Sequence, residues 1–171
     1  MRMKLAALAA AAFALSAPVQ AQAPNDAQIA HIAYTAGQID VAAARQALQR
    51  SHDAQVRAFA RTMVRDHEAV NRQAVALVTR LHVTPAANPT SAALSSQAAA
   101  TLHRLATLRG AAFDRAYVDN EVVYHRNVNG ALRDTLIPAA RNAELKSLLQ
   151  SGLALFTEHQ THAEHLASRL H

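Results

Sequence analysis

Apolar residues recur at steps of three and four along most of this chain, and this spacing is the feature that most constrains its fold. The clearest row runs through Val56, Phe59, Met63, His67, Val70, Ala74, Leu77 and Leu81. Such spacing places side chains on one stripe of an α-helix. The sequence has no alternating run of β-branched and aromatic residues bounded by turns, and it contains only 4 glycines. The pattern therefore predicts an all-α protein.

Helix start and stop signals divide the sequence into four long helices and one short helix. The first long helix is predicted over about 26–50, and the second from a cap at Ser51 or Asp53 to a point before Pro85. The third is predicted from Phe113 to Pro138, and the fourth from about Asn142 onward. A linker rich in Pro and Ser, Thr84–Ser96, precedes the short helix over about 96–108. One long connection between two helix pairs is the ferritin-like arrangement. The sequence therefore predicts a ferritin-like four-helix bundle with a long crossover that contains a short helix.

The first 21 residues have the pattern of a secretory signal peptide. A basic start, 1–4, precedes an apolar run, 5–17, which is too short to span a bilayer as a helix. Small residues at 19 and 21 suit a cleavage site. Residues 1–21 are therefore predicted to be removed, and 22–171 to form a single helical-bundle domain. The protein is expected to be exported to the periplasm and not to be an integral membrane protein.

The composition excludes several classes of function. Without cysteine the chain has no disulfide and no thiolate metal site. Removal of Arg2 and Lys4 lowers the formal charge from +5 by two, to +3, and only 4% of residues are aromatic, so nucleic acid is not an expected partner. The sequence has neither a G-x-S-x-G motif nor a glycine-rich phosphate loop. These observations favour a protein without a catalytic cycle of its own.

Three inward rows contain a histidine: His67, His125 and His159. At about 1.5 Å rise per residue these lie at similar depth in the bundle, close to Asp40 on the first helix and to Glu121, one turn before His125. Imidazole and carboxylate ligands suit Zn, Fe, Ni or Cu(II), so one interpretation is a site for a divalent transition metal ion. The other is a set of core histidines held by neighbouring polar groups, with no cofactor.

Arg57, Arg61 and Arg65 repeat every four residues on the second helix. Such a row can contact phosphate groups, which predicts peripheral contact with envelope lipids. The alternative is a solvated helix face on which arginines pair with neighbouring carboxylates.

Three segments, 56–67, 113–118 and 145–163, resemble motifs of the exported bacterial family called domain of unknown function 4142. The resemblance covers roughly 26–170 and implies a ferritin-like fold; members are often labelled outer-membrane proteins. Di-iron bundles carry Glu-x-x-His on two helices. Here Val64 and Phe156 occupy the glutamate positions before His67 and His159, which argues against a ferroxidase or di-iron oxidase.

Three functional hypotheses follow. The first is a periplasmic binding or stress-associated envelope protein without catalytic activity, with an unknown partner and a monomeric or homodimeric state. The second is a mononuclear metal-binding protein or metalloenzyme that uses the His and carboxylate residues inside the bundle. The third is an acid-responsive envelope protein whose 10 histidines change its association or membrane binding between about pH 7 and 5.

Overall fold

A computed structural model describes residues 23–171, and the predicted signal peptide lies outside these residues. The described part contains five helices and no strand: α1 (Asp26–Arg50), α2 (Ala54–Arg80), α3 (Pro89–Ala106), α4 (Gly110–Ala131) and α5 (Ala143–Leu170). After Ala131, α4 continues through a π-helical turn, Leu132–Leu136, and a final turn, Ile137–Ala139. The predicted all-α bundle with a helix in the crossover is confirmed.

Side-chain caps set the starts of the long helices. Asn25 and Gln28 bond each other's backbone N–H groups at the start of α1. Asp53, one of the two predicted caps of α2, accepts from the backbone N–H groups of Gln55 and Val56. The Asn142 side chain caps α5 in the same way. Each cap satisfies backbone donors that the first helical turn leaves without partners.

The crossover differs from its predicted form. The prediction of a loop up to Ser96 was wrong, because α3 begins at Pro89. The Asn88 side chain accepts from the Ser91 N–H, and the Ser91 hydroxyl accepts from the Asn88 N–H. Proline suits the first helical position because the N–H that it lacks would have no partner there.

The second difference is at the end of α4, where Pro138 lies inside the last helical turn instead of closing the helix. Proline lacks an N–H and its ring crowds the carbonyl four residues before it. The π-helical turn at Leu132–Leu136 widens the helix next to this position, which allows the helix to continue to Ala139.

Contacts between helix ends show in which direction each helix runs relative to the others. The Asn88 side chain donates to the Gln28 carbonyl at the start of α1, and the Gln46 side chain donates to the Leu102 carbonyl near the end of α3. Helix α3 therefore runs alongside α1 in the same direction. Asp26 accepts from the backbone N–H groups of the α4–α5 turn. It follows that α1 and α5 run one way and α2 and α4 the other, which is the ferritin-like crossover arrangement.

Two apolar clusters fill the bundle. The cluster towards the α1–α2 turn includes Ala47, Phe59, Met63, Leu105, Phe113, Tyr117 and Leu166. The cluster towards the α4–α5 turn includes Ile29, Ile32, Leu77, Leu136, Leu145 and Leu149. Between them lie five buried polar side chains, which we call the polar layer: Asp40, His67, Glu121, His125 and His159.

On α5 the structure differs at two positions from the inward row that the spacing of three and four residues predicts. The predicted row starts with Leu145, Leu148, Gly152, Leu155 and His159. Leu149 and Phe156 are buried, whereas Leu148 and Leu155 are only partly buried. Both pairs are adjacent apolar residues, so the spacing alone does not choose between them. The stacking of Phe156 on His67, with ring centroids 4.5 Å apart, decides the register.

Gly37 is expected to be essential for close packing of α1 on α2. A Cβ at this position would lie 2.2 Å from Oδ1 of Asn71. Gly37→Ala should therefore lower the free energy of unfolding by about 1–3 kcal/mol, the usual cost of overpacking. Gly130→Ala is the matched control, because the nearest atom lies 4.0 Å away and alanine should stabilise the helix by about 0.5–1 kcal/mol. Urea unfolding measures both changes, and a stabilised Gly37→Ala variant would contradict the packing argument.

Candidate metal centre

Three histidine rings converge at the middle of the bundle. His67 on α2, His125 on α4 and His159 on α5 have ring centroids 5.3–5.6 Å apart. One ring nitrogen from each lies within 4.8 Å of the other two. Three such atoms lie at most about 2.8 Å from a common centre, compared with zinc–nitrogen bonds of about 2.0–2.1 Å. Side-chain shifts of less than about 1 Å would therefore bring all three to bonding distance.

Two carboxyl groups complete the polar layer. Asp40 on α1 places Oδ2 3.5 Å from Nε2 of both His67 and His125. Glu121 on α4 places Oε2 3.6 Å from Nδ1 of His125. Asp40, Glu121 and His125 also form a group whose donor atoms lie within 4.8 Å of one another. Each of the four long helices thus contributes to the layer, while α3 contributes nothing.

Hydrogen bonds outside the layer orient two of the histidines. Nδ1 of His125 lies 3.0 Å from the Glu121 backbone carbonyl. Nε2 of His159 lies 3.0 Å from Oδ2 of Asp66. Both acceptors require a protonated ring nitrogen, so Nε2 of His125 and Nδ1 of His159 are the ring nitrogens that these bonds do not use. Metal-binding histidines in proteins have this arrangement, with the second ring nitrogen donating to a carboxylate or carbonyl.

Burial controls the charge of the polar layer. It lowers the pKa of His67 to about 3 and that of His125 to about 4, so both rings are neutral at neutral pH. Burial also raises the pKa of Glu121 well above its usual value, and the neighbouring Asp40 charge raises it further. The pKa of Asp40 is raised by burial too. Burial therefore favours the protonated form of both carboxyl groups, and it does so most strongly for Glu121.

The polar layer contains an unusual concentration of buried atoms without hydrogen-bond partners. Within residues 23–171 these are Oδ1 and Oδ2 of Asp40, both ring nitrogens of His67, Oε2 of Glu121, Nε2 of His125 and Nδ1 of His159. Buried polar groups in proteins nearly always have a partner, and an ion is one explanation when several lack one together. The neutral imidazole nitrogens and the carboxylate fit a transition metal ion.

The arginine row lies outside this site. Nη1 of Arg57 donates to the carbonyls of Leu48 and Ser51 at the end of α1. Arg65 forms an ion pair with Asp66 at 2.7 Å. Arg61 is exposed. Two of the three arginines are therefore engaged within the protein, and contact of this row with lipid phosphates stays a prediction.

Two residues that support the site, Asp66 and Phe156, are not predicted as such from the sequence. Asp66 looked like a surface partner of the arginines, but it also bonds His159 across the α2–α5 interface. Phe156 stacks on His67 with an interplanar angle of 10°. The spacing of Phe156 three residues before His159 places both on one stripe of α5, which is the signal that the sequence offers for it.

None of the helices in residues 23–171 is both long enough and apolar enough to cross a bilayer. Comparison of the chain with curated proteins and with solved structures finds no match. The family model described as Domain of unknown function (DUF4142) matches residues 10–166, a range that includes every residue of the polar layer. This match covers most of the sequence, and the chain therefore belongs to the DUF4142 family.

Proposed function

We propose that this protein binds one divalent transition metal ion inside its helical bundle. His67, His125 and His159 supply the nitrogen ligands, and Asp40 supplies a carboxylate oxygen. The observation that carries the proposal is the convergence of three buried histidines, each of which has at least one ring nitrogen without a hydrogen-bond partner. A ligand set of three imidazoles and one carboxylate suits Zn, Fe, Ni or Cu(II).

The main alternative is a set of histidines that only stabilise the core. A structural histidine in a protein interior normally uses both ring nitrogens in hydrogen bonds. His67 uses neither, although its side chain is only 3% exposed. Two buried nitrogens without partners lower the stability of the metal-free protein. A role as a metal ligand explains why a histidine occupies this position.

The proposed role is binding of the ion without a catalytic cycle. When bound, an ion of this class supplies a positive charge and a Lewis acid. Glu121 lies beside Asp40, with carboxylate oxygens within 4.8 Å, and Asp66 would hold the ring of His159 through its hydrogen bond. The export pattern of residues 1–21 supports a location in the periplasm.

Metal content tests this proposal. We expect about one metal ion per chain in protein purified without an affinity tag or chelator, and a loss of that ion in His67→Ala and His125→Ala. His103→Ala is the control, because His103 is exposed on α3, away from the polar layer. Elemental analysis measures the metal content, and visible absorption after Co²⁺ loading reports on the ligand geometry.

Two results would overturn the proposal. One is the absence of metal from wild-type protein that also fails to bind added Zn²⁺ or Co²⁺. The other is full metal content in both ligand variants. Circular dichroism of each variant shows whether a loss of metal reflects a lost ligand or a lost fold.

A further inference from the structure

A cavity of about 560 Å³ lies beneath α3 and reaches the polar layer at His67 and His125. Helices α1, α3 and α4 bound it, and α2 and α5 also contribute to its lining. Its volume is within the range of about 300–1,000 Å³ that is typical of small-molecule sites. Exposed residues of α3 and α4, among them Gln97 and Val123, line its mouth. The cavity therefore extends from exposed residues of α3 and α4 to the side chains of His67 and His125.

The cavity is long and has one polar end. On α2 it extends from His67 to Val78, about 16 Å along the helix axis, and on α4 its lining runs from Asn120 to Leu136. The polar end at the polar layer is formed by His67, Asn71 and His125. Apart from Thr135, which is polar, the far end is lined mainly by apolar side chains: Ile32, Val78, Leu136, Leu145 and Leu149. A molecule with a polar head and an apolar tail matches this distribution.

Asn71 indicates what kind of head group fits. It lies one turn after His67, it is 5% exposed, and its Nδ2 has no acceptor among the described residues. A buried amide donor of this kind needs an oxygen acceptor. The close approach of Gly37 positions the amide, because any side chain at that position would displace it.

We propose that the cavity binds an unbranched fatty acid, with its carboxylate between Asn71 and the metal ion and its chain directed towards Leu145 and Leu149. The inference rests on the proposed function, since the carboxylate would bind directly to the divalent ion held by His67 and His125, which both line the cavity. A chain of about twelve carbons spans the 16 Å at roughly 1.25 Å per methylene, given C–C bonds near 1.5 Å.

Titration calorimetry with dodecanoate tests this inference. We expect the Zn²⁺-loaded protein to bind one dodecanoate per chain, at least tenfold more tightly than the metal-free protein does. Butyrate, which lacks the tail, and dodecylammonium, which has the opposite charge, should each bind at least tenfold more weakly. Ala74→Leu places a larger side chain in the cavity and should weaken binding at least tenfold. The matched control is Ala76→Leu, which is exposed on the same helix and should bind like wild type.

The metal content of each sample, measured before fatty acid is added, separates the two proposals. A protein that holds one Zn²⁺ but binds no dodecanoate would overturn the fatty-acid inference and leave metal binding intact. Equal affinities for dodecanoate and dodecylammonium, or for wild type and Ala74→Leu, would also overturn it. A protein that takes up no metal would overturn both proposals.

Discussion

Replacing His67 with phenylalanine is expected to abolish metal binding and, at the same time, to stabilise the metal-free bundle. Phenylalanine keeps the apolar volume of the ring and can keep its stacking on Phe156, which lies 4.5 Å away. It also removes two buried nitrogens that have no hydrogen-bond partner. An unsatisfied buried polar group costs about 1–3 kcal/mol, so we expect the free energy of unfolding of the metal-free protein to rise by about that amount.

Metal should reverse this order of stabilities. A ligand that binds only the folded state, at a concentration 1,000 times its Kd, stabilises a protein by about 4 kcal/mol. We therefore expect metal-bound wild type to be the most stable form, His67→Phe to be intermediate, and metal-free wild type to be the least stable. Urea unfolding with and without Zn²⁺ gives the three values.

The control for this substitution is His103→Phe, because His103 is exposed on α3. It should retain the metal and the stabilisation by metal. If His67→Phe instead lowered the free energy of unfolding and kept its metal, His67 would be a structural core residue and the proposed ligand set would be wrong. The two interpretations that the sequence leaves open thus predict opposite signs for one measured quantity.

The sequence predicts the long helices well because local signals decide their ends. Asn25, Asp53 and Asn142 each cap a helix that begins at the next residue. The start of α3 also has a local signal, which is Asn88 followed by proline and by Ser91. The many prolines and serines of this segment are equally typical of a linker, so the signal is easily overlooked. The π-helical turn before Pro138 depends instead on how the chain accommodates a proline that does not end the helix.

The polar layer is accessible to sequence reasoning only in part. Helical rise places Asp40 and His67 at one depth, and the structure brings them within 3.5 Å. The bond between Asp66 and His159 joins residues that are 93 positions apart, and the adjacent Arg65 gives Asp66 an obvious local partner. No sequence feature of a single helix predicts the cavity, because the cavity arises from the separation of α1 and α4 beneath α3.

The metal-free protein is expected to lose stability as the pH falls from about 6.5 towards 3. The pKa of His67 is about 3 and that of His125 about 4 in the folded state, against about 6.5 in an unfolded chain. Between these values the unfolded chain binds protons that the folded protein does not, so lower pH favours unfolding. Each histidine should cost about 1.4 kcal/mol per pH unit between about pH 6.5 and its own folded pKa, which is about 3 for His67 and about 4 for His125.

Glu121 has the opposite effect on the pH dependence of the free energy of unfolding. Its pKa is raised in the folded protein, which therefore holds a proton that the unfolded chain releases above about pH 4.5. Its contribution is fully present below that pH and is lost as the pH rises through the folded pKa. The raised pKa of Asp40 acts with the same sign. The net loss of stability should consequently be shallow between about pH 6.5 and 4.5 and steeper below, where the contribution of Glu121 no longer changes and the lowered pKa of Asp66 adds to the loss.

The difference between wild type and His67→Phe cancels the groups that titrate alike in both proteins, and it leaves the contribution of His67 together with its interactions with His125, His159 and Asp66. The stability advantage of the metal-free variant should grow by about 1.4 kcal/mol per pH unit below pH 6.5, or by about 2.7 kcal/mol at pH 4.5. Urea unfolding of both proteins at pH 7.0, 5.5 and 4.5 measures it. An advantage that does not change with pH would mean that the folded protein protonates His67 as readily as the unfolded chain does. In that case the ring would not be held neutral in the polar layer, and the state that a metal ligand requires would have to be created by the metal itself.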